Sequence, residues 1–503
     1  MDFLIYILLL IIFLCVFIQF LPLPHGRSNR GNCKLPPGPP PFPIIGNLLE
    51  LGDKPHKRLA ELANVYGPVM SLQLGQVTAI VITSADMAKS VLLTHDQFFS
   101  NRTVPDAMTA LNHHEYSLPF LPVSPRWRAL RKICNNQLFG NKVLDASQDL
   151  RRHKVQQLLQ EVHESSEVAE AVDIGRAAFK TTINLLSNTF FSVDLVHSVG
   201  TAGEFKDTVV NIVKEIGKPN VADYFPVLRK LDPLGVRSRT AIHFGKMLDV
   251  FHCLVTQRLK LREATGSLPS NDILDSLLSD EENRQEMDGE RIQRLSLDLF
   301  VAGSDTTSST LEWGMAELLR NPEAMSKAKV ELQETIGKGK PVEESDIGKL
   351  SYLQAVVKET LRLHPPAPLL LPRKAEIDVE LGAYTIPKDA QVLVNVWALG
   401  RDPRMWKNPE EFSPERFLGS EIDVKGRNFE LIPFGAGRRI CPGQNLALRM
   451  VFLVLGSLIN CFEWKLEGGK KPEDMDMDDK FGLTLQKAQP VLAVPYRAND
   501  LCR

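Results

Sequence analysis

Phe434-Gly435-Ala436-Gly437-Arg438-Arg439-Ile440-Cys441-Pro442-Gly443 sets a cysteine in a glycine-rich loop just ahead of an apolar helical run, Asn445 to Ile459. Proline at the first helical position puts Cys441 at a helix N-terminus, where the dipole and free N–H groups favour thiolate, the form that binds metal. Gly437 and Gly443 let backbone approach something flat and bulky, and Arg439 offers a fork suited to a carboxylate. The loop has no second Cys or His, so a single sulfur ligand to a haem iron accounts for it better than zinc, which takes several protein ligands. A buried structural cysteine in a tight turn fits the bare spacing equally well.

Around this loop the chain has 503 residues, 59 Lys plus Arg against 61 Asp plus Glu, a net charge of -2, 44% hydrophobic residues and seven cysteines. At roughly 100–200 residues per domain, that length excludes a minimal module and admits either a few ordinary domains or one large fold. The balanced charge excludes a phosphate-binding face, so no nucleic acid partner is expected. The apolar fraction excludes disorder. Scattered cysteines without a CxxC pair argue against a disulfide framework or structural zinc and for a reducing compartment.

Every residue from Phe3 to Ile18 is apolar, and Phe20 and Leu21 extend the run. A stretch near 20 residues spans a bilayer as a helix. Asp2 is the only charge before it, while Arg27, Arg30 and Lys34 follow, so residues 1–21 read as an uncleaved transmembrane anchor with the body on the cytosolic side. Residues 22–43, basic and then proline-rich (Pro36-Pro37-Gly38-Pro39-Pro40-Pro41-Phe42-Pro43), read as a stiff extended hinge, and 44–503 as one body. That body should be mainly α with a minor β region. Leu72 to Ile82 reads as two strands turning near Gly75-Gln76, and Ile377 to Val396 as a small strand region. Helices are expected at Ala85 to Leu93, Arg126 to Leu138, Gln148 to Glu164, Ile174 to Phe191, Ala241 to Ala264 and Arg291 to Arg320.

Inside the last of these, Ala302-Gly303-Ser304-Asp305-Thr306-Thr307 breaks the local rule. Glycine in a helix interior costs about 1 kcal/mol against alanine, and hydroxyls that bond back to carbonyls four residues earlier bend helices. A break in a helix otherwise patterned for burial suggests room made beside a ligand.

The Cys441 loop resembles the haem-binding signature of the cytochrome P-450 family, Phe-x-x-Gly-x-Arg-x-Cys-x-Gly, at every defined position. Other marks follow in that family's order. Glu359-Thr360-Leu361-Arg362 and Pro414-Glu415-Arg416-Phe417 resemble its Glu-x-x-Arg and meander motifs, which implies a Glu359, Arg362, Arg416 lock. Trp127 and Arg131 in WRALRK, and Arg373 after LLLP, resemble residues that touch the haem propionates. The resemblance implies the cytochrome P-450 fold with an N-terminal transmembrane helix, haem b with Cys441 as axial thiolate, and Trp127, Arg131, Arg373, Phe434 and Arg439 as further cofactor-binding residues. It makes Thr306 and Asp305 the catalytic pair that handles protons for O2 activation.

The resemblance also implies NADPH-cytochrome P-450 reductase as electron donor, docking near Arg128, Lys132 and Arg438, and a single-pass endoplasmic reticulum protein. By family position the pocket draws on residues 98–114, 299–302, 367–371 and 482–485, with Leu111, Phe300, Val301, Leu369, Leu370 and Leu483 as its apolar wall and His113 and His114 as surface residues. Such a wall suits a small hydrophobic substrate. The chain also resembles the plant terpenoid-hydroxylating group that includes geraniol 8-hydroxylase, which implies hydroxylation of a monoterpenol such as geraniol. The alternatives are hydroxylation of a diterpenoid or other plant secondary metabolite, a reductase-independent isomerase or dehydratase, and a non-enzymatic haem carrier.

Overall fold

A computed structural model describes residues 34–196, 202–265, 272–279 and 287–497. The expected anchor at 1–21 and most of the hinge lie outside the described residues. The helices that position the site are α1 (Pro55–Tyr66), α2 (Pro125–Ile133), α3 (Gln148–Glu167), α4 (Ile174–Phe191), α5 (Ala202–Gly217), α6 (Val236–Thr265), α7 (Gly289–Arg320), α8 (Pro322–Ile336), α9 (Ser351–Leu363) and α10 (Gln444–Cys461). Among them α4 has the expected bounds. Its start is set by Asp173, whose carboxylate accepts from Arg176 N at 2.9 Å, a helix cap that Ala could not supply.

The strands are β1 (Val69–Leu74), β2 (Val77–Ile82), β3 (Asn101–Arg102), β4 (Val172–Asp173), β5 (Arg373–Lys374), β6 (Val379–Leu381), β7 (Tyr384–Ile386), β8 (Gln391–Val394), β9 (Phe462–Leu466), β10 (Asp479–Lys480), β11 (Gln486–Lys487) and β12 (Leu492–Arg497). One sheet runs β1-β2-β8-β5-β3, with β2 and β8 parallel and the other pairs antiparallel. A second runs β4-β12-β9, and β6-β7 and β10-β11 form two-stranded ladders. The fold is mainly α with a minor β part, as the sequence pattern implies.

Helix α7 is buried on nearly all sides, with Leu295, Phe300, Leu311, Trp313 and Met315 at most 1% exposed, so it is the central helix of the core. It packs against α4, α6, α9 and α10. It also runs unbroken from Gly289 to Arg320, close to the expected 291–320, so Gly303 is accommodated within one continuous helix. The hydroxyls do turn back as anticipated, Ser304 Oγ onto Phe300 O at 2.7 Å and Thr306 Oγ1 onto Ala302 O at 2.8 Å, but without ending the helix. Among the described residues α10 alone is long and apolar enough to cross a membrane, and it is mostly buried against α7 and α9.

The proline-rich segment does not stand free where it is described. Ser71 N and Oγ donate to Pro37 O at 2.9 Å and Pro36 O at 2.6 Å, and Asn47 bridges Pro39 O and Gln73 N. Gly38 lies so close to β1 that a Cβ there would sit 1.8 Å from Ser71 O. The packed body therefore begins near Pro36, ahead of the expected boundary at 44.

Glu359 and Arg362, both at most 1% exposed, form the expected lock. Arg362 donates to both carboxylate oxygens at 2.6 and 2.8 Å, and Arg416 Nε adds a third bond at 2.9 Å. Arg362 also binds the carbonyls of Pro409 and Glu411, which staples the segment 400–417 to α9. Removing one partner from such a buried network costs about 3–5 kcal/mol. Glu359→Gln should therefore melt several degrees below wild type in a thermal scan, and an unchanged melting temperature would show that the lock is dispensable.

Candidate active site

The Cys441 loop closes one side of a cavity of about 300 Å³, and α7 closes another. The helix after the loop starts at Gln444 with Gly443 as its cap, so Cys441 precedes the first turn and Pro442 is not at the first helical position. The sulfur still faces that terminus, accepting from the N–H groups of Gly443 and Gln444. Burial is the larger effect and pushes the Cys441 thiol up; those two N–H groups and the Arg131 charge pull it back down. Cys441 N donates to Phe434 O at 3.0 Å, which closes the loop and sets Phe434 beside the sulfur on the cavity wall. Gly437 serves a different purpose from the one expected. It has φ +68° and a Cβ there would sit 1.9 Å from Leu92 O, so it seats the loop on residues 90–94 and does not line the cavity.

Four arginines converge on the same cavity. Ser124 caps α2 by accepting from Trp127 N, and Pro125 starts it, so Trp127 and Arg131 share one face. Arg373 opens β5 directly opposite Arg102 of β3, which puts both guanidiniums side by side. Arg439 lies over the Trp127 ring at 4.5 Å. None of the four has a carboxylate at ion-pair distance among the described residues; Asp96, the acid nearest Arg373, is paired with Arg438 at 3.0 Å.

Backbone carbonyls take their place as acceptors. Arg439 donates to Ser100, Leu118 and Leu121, Arg373 to Phe99 and Ala436, and Arg102 to Leu371. Burial pushes all four pKa values down, to about 10 for Arg373 and Arg439, and repulsion from neighbouring arginines adds to it at Arg102 and Arg439. Arg102 Nε is buried with no partner. Buried guanidiniums without counter-ions, around a rim opposite a sulfur, fit a flat dianionic group whose metal the sulfur can reach.

The α7 face on the cavity is Asp298, Leu299, Ala302, Gly303, Thr306, Thr307 and Thr310, the spacing of one broad helical stripe. Thr306 Oγ1 spends its proton on Ala302 O, which leaves its lone pairs toward the cavity. Asp305 is not on this face. It is buried, accepts from Gln486 Nε2 at 2.6 Å, and has its pKa pushed up by burial against the opposing bonds of Thr484 and Gln486. The structure thus brings Thr306, Trp127, Arg131, Arg373, Phe434, Arg439 and Cys441 to one cavity and leaves Asp305 behind it.

The wall differs from the expected one. Leu299 and Leu370 line the cavity, but Phe300 is buried among Phe190, Phe191, Phe205 and Phe251, Leu111 is exposed, and Leu369 packs against β1. Val301 and Leu483 are also off the lining. His113 is no surface residue: it is 1% exposed and donates to Asp298. Arg102 lies within the expected stretch 98–114 but was not singled out, and sequence reasoning missed Thr182, Leu185 and Leu186 of α4. Their α7 contact is visible only once Gly303 is seen to admit Leu186, which would sit 3.1 Å from a Cβ there.

A family model described as Cytochrome P450 matches residues 36–492. The chain is 57% identical to a geraniol 8-hydroxylase of Swertia mussotii over 93% of this chain and 94% of that protein. It is 53% identical to a drimenol monooxygenase of Persicaria hydropiper over 97% of this chain and 96% of that one. A zebra fish cytochrome P450 solved with progesterone superposes with a TM-score of 0.74 at 25% identity, covering 88% of this chain and 99% of that one.

Arg102→Gln removes one of the mutually repelling buried charges. The cofactor-free chain should then melt higher than wild type, while the chain loaded with a dicarboxylate macrocycle such as haem should release it faster. Thermal unfolding of the free form and haem transfer to an acceptor protein measure the two effects; equal release rates would remove Arg102 from the rim.

Proposed function

The chain belongs to the cytochrome P450 family, which implies a haem held by a cysteine thiolate, and from that premise we propose a monooxygenase that hydroxylates a small hydrophobic terpenoid, a monoterpenol such as geraniol. Electrons come from NADPH through NADPH-cytochrome P450 reductase, and the enzyme is anchored in the endoplasmic reticulum membrane by residues 1–21 with its body in the cytosol. The observation that carries this reading is the cavity itself, in which one sulfur, a rim of unpaired arginines and an apolar wall meet. The name and 57% identity of the Swertia relative support the substrate.

When bound, the haem, assigned as haem b, supplies the iron at which O2 is reduced. Cys441 Sγ, already oriented by the N–H groups of Gly443 and Gln444, is the iron ligand in this reading. Arg102, Arg131 and Arg373 take the propionates. Trp127 and Arg439 brace the rim, since both donate to Leu118 O at 3.2 and 3.1 Å. Phe434 walls the sulfur side. Thr306 Oγ1 is the acceptor that holds a water or substrate oxygen over the site. Asp305, its pKa raised by burial and its carboxylate held off the cavity by Gln486, is the proton donor behind Thr306 in this reading. Leu299, Leu370, Leu185 and Leu186 exclude water and hold the substrate by shape.

The likeness to drimenol monooxygenase favours one second reading, hydroxylation of a larger terpenoid or another plant secondary metabolite. Turnover of the full chain with reductase and NADPH on geraniol beside larger terpenoids, with product positions identified, separates the two. Oxidation of geraniol is expected; oxidation of larger terpenoids alone overturns the monoterpenol assignment, and product without NADPH overturns the monooxygenase. Cys441→Ser should lose the thiolate-type Soret band under carbon monoxide together with activity. Arg128 and Lys132 are exposed on the outer face of α2. Reversing both charges should slow reduction by reductase at low salt, with the deficit fading as salt rises, and unchanged rates would move the docking face elsewhere.

A further inference from the structure

Asp298 is a buried carboxylate on the cavity side of α7, 7% exposed, with no arginine or lysine against it among the described residues. It is satisfied by three donors from one short segment. Oδ1 accepts from His113 Nε2 at 2.9 Å and from Ser117 Oγ at 2.8 Å, and Oδ2 accepts from Leu118 N at 2.8 Å. One turn earlier Arg294 donates to Leu111 O at 2.9 Å and lies 5.1 Å over the Tyr116 ring.

The segment so gripped is irregular. Ala110 leaves helical geometry, and Leu111 and Asn112 take left-handed φ of 51° and 55°, which side chains rarely adopt. Such a conformation persists only where its surroundings hold it. Arg294 holds the strained turn itself through Leu111 O, and Asp298 holds the residues that follow it, His113, Ser117 and Leu118.

Leu118 makes this grip matter to chemistry. Its N–H goes to Asp298, its carbonyl receives Trp127 Nε1 and Arg439 Nη1, and Leu118 and Pro119 form cavity wall. One residue therefore joins the α7 stripe that carries Thr306 to the arginine rim. We infer that Asp298 is a positioning residue that sets where the 113–119 wall stands between the cofactor rim and Thr306, and so determines which carbon of the substrate is presented. This rests on the cavity being the terpenoid and haem site proposed above.

The test uses full-length Asp298→Ala and Asp298→Asn with reductase. Alanine orphans three donors, so KM should rise on the order of tenfold, more than kcat falls, and the product-position ratio should spread. Asparagine keeps an acceptor for Leu118 N and a polar partner for Ser117, and should restore the wild-type ratio. The thiolate-type Soret band should persist in both variants. A holoprotein Asp298→Ala with wild-type KM and product ratio overturns the inference, as does a uniform loss of rate with an unchanged ratio, the mark of a merely structural role. If alanine yields no holoprotein, Ser117→Ala, which removes one donor and leaves two, takes its place: a smaller shift in ratio supports the inference and no shift overturns it. The wild-type chain reports on the functional reading separately, because a haem-loaded wild type that oxidises no terpenoid overturns that reading whatever the variants do.

Discussion

Four guanidiniums face one cavity with no carboxylate at ion-pair distance among the described residues, and much of the fold around it follows from that constraint. Buried cations need acceptors, and these take backbone carbonyls from residues 99–121, 371 and 436, far from them in sequence. Carbonyls neutralise no charge. They hold the arginines in place while leaving the net positive potential for an anionic guest, whereas a carboxylate would have stabilised the empty fold and closed the site to it.

The helix opposite meets a second constraint, being core and cavity wall at once. Phe300 and Trp313 put large rings into packed surroundings, while the stripe through Ala302, Gly303 and Thr306 stays small. Small residues here do not interrupt the helix; they set its distance from α4, whose Leu186 fills the space beside Gly303. The back-bonding hydroxyls serve the same end, since each satisfies itself within the helix and costs the cavity no unpaired donor.

What was legible in the chain were features carried by local pattern. The Cys441 loop, the β1-β2 hairpin and the bounds of α4 each lie within a few residues of the signals that specify them. The Glu359, Arg362, Arg416 lock was legible too, because two members share one helix face. Illegible were pairings between distant segments. Arg102 looks like any surface residue of a short polar stretch until β3 meets β5 and sets it beside Arg373. His113 and Asp298 are separated by 185 positions, and only the turn at Leu111 brings them together. Gly437 was read toward the cofactor although its neighbour is Leu92, since a glycine demanded by a close approach does not say what approaches.

The place of Asp305 shows why motif and geometry need separate treatment. Its sequence neighbour Thr306 faces the cavity, while Asp305, about 100° round the helix, falls off the lining. Asp305 instead meets Gln486 on β11, where burial favours its protonated form. Burial disfavours the charged form of that carboxyl, and the bond from the Gln486 amide opposes the shift. Gln486, on the β10-β11 ladder, thereby bears on the charge of a motif residue although it lies off the cavity and outside the motif.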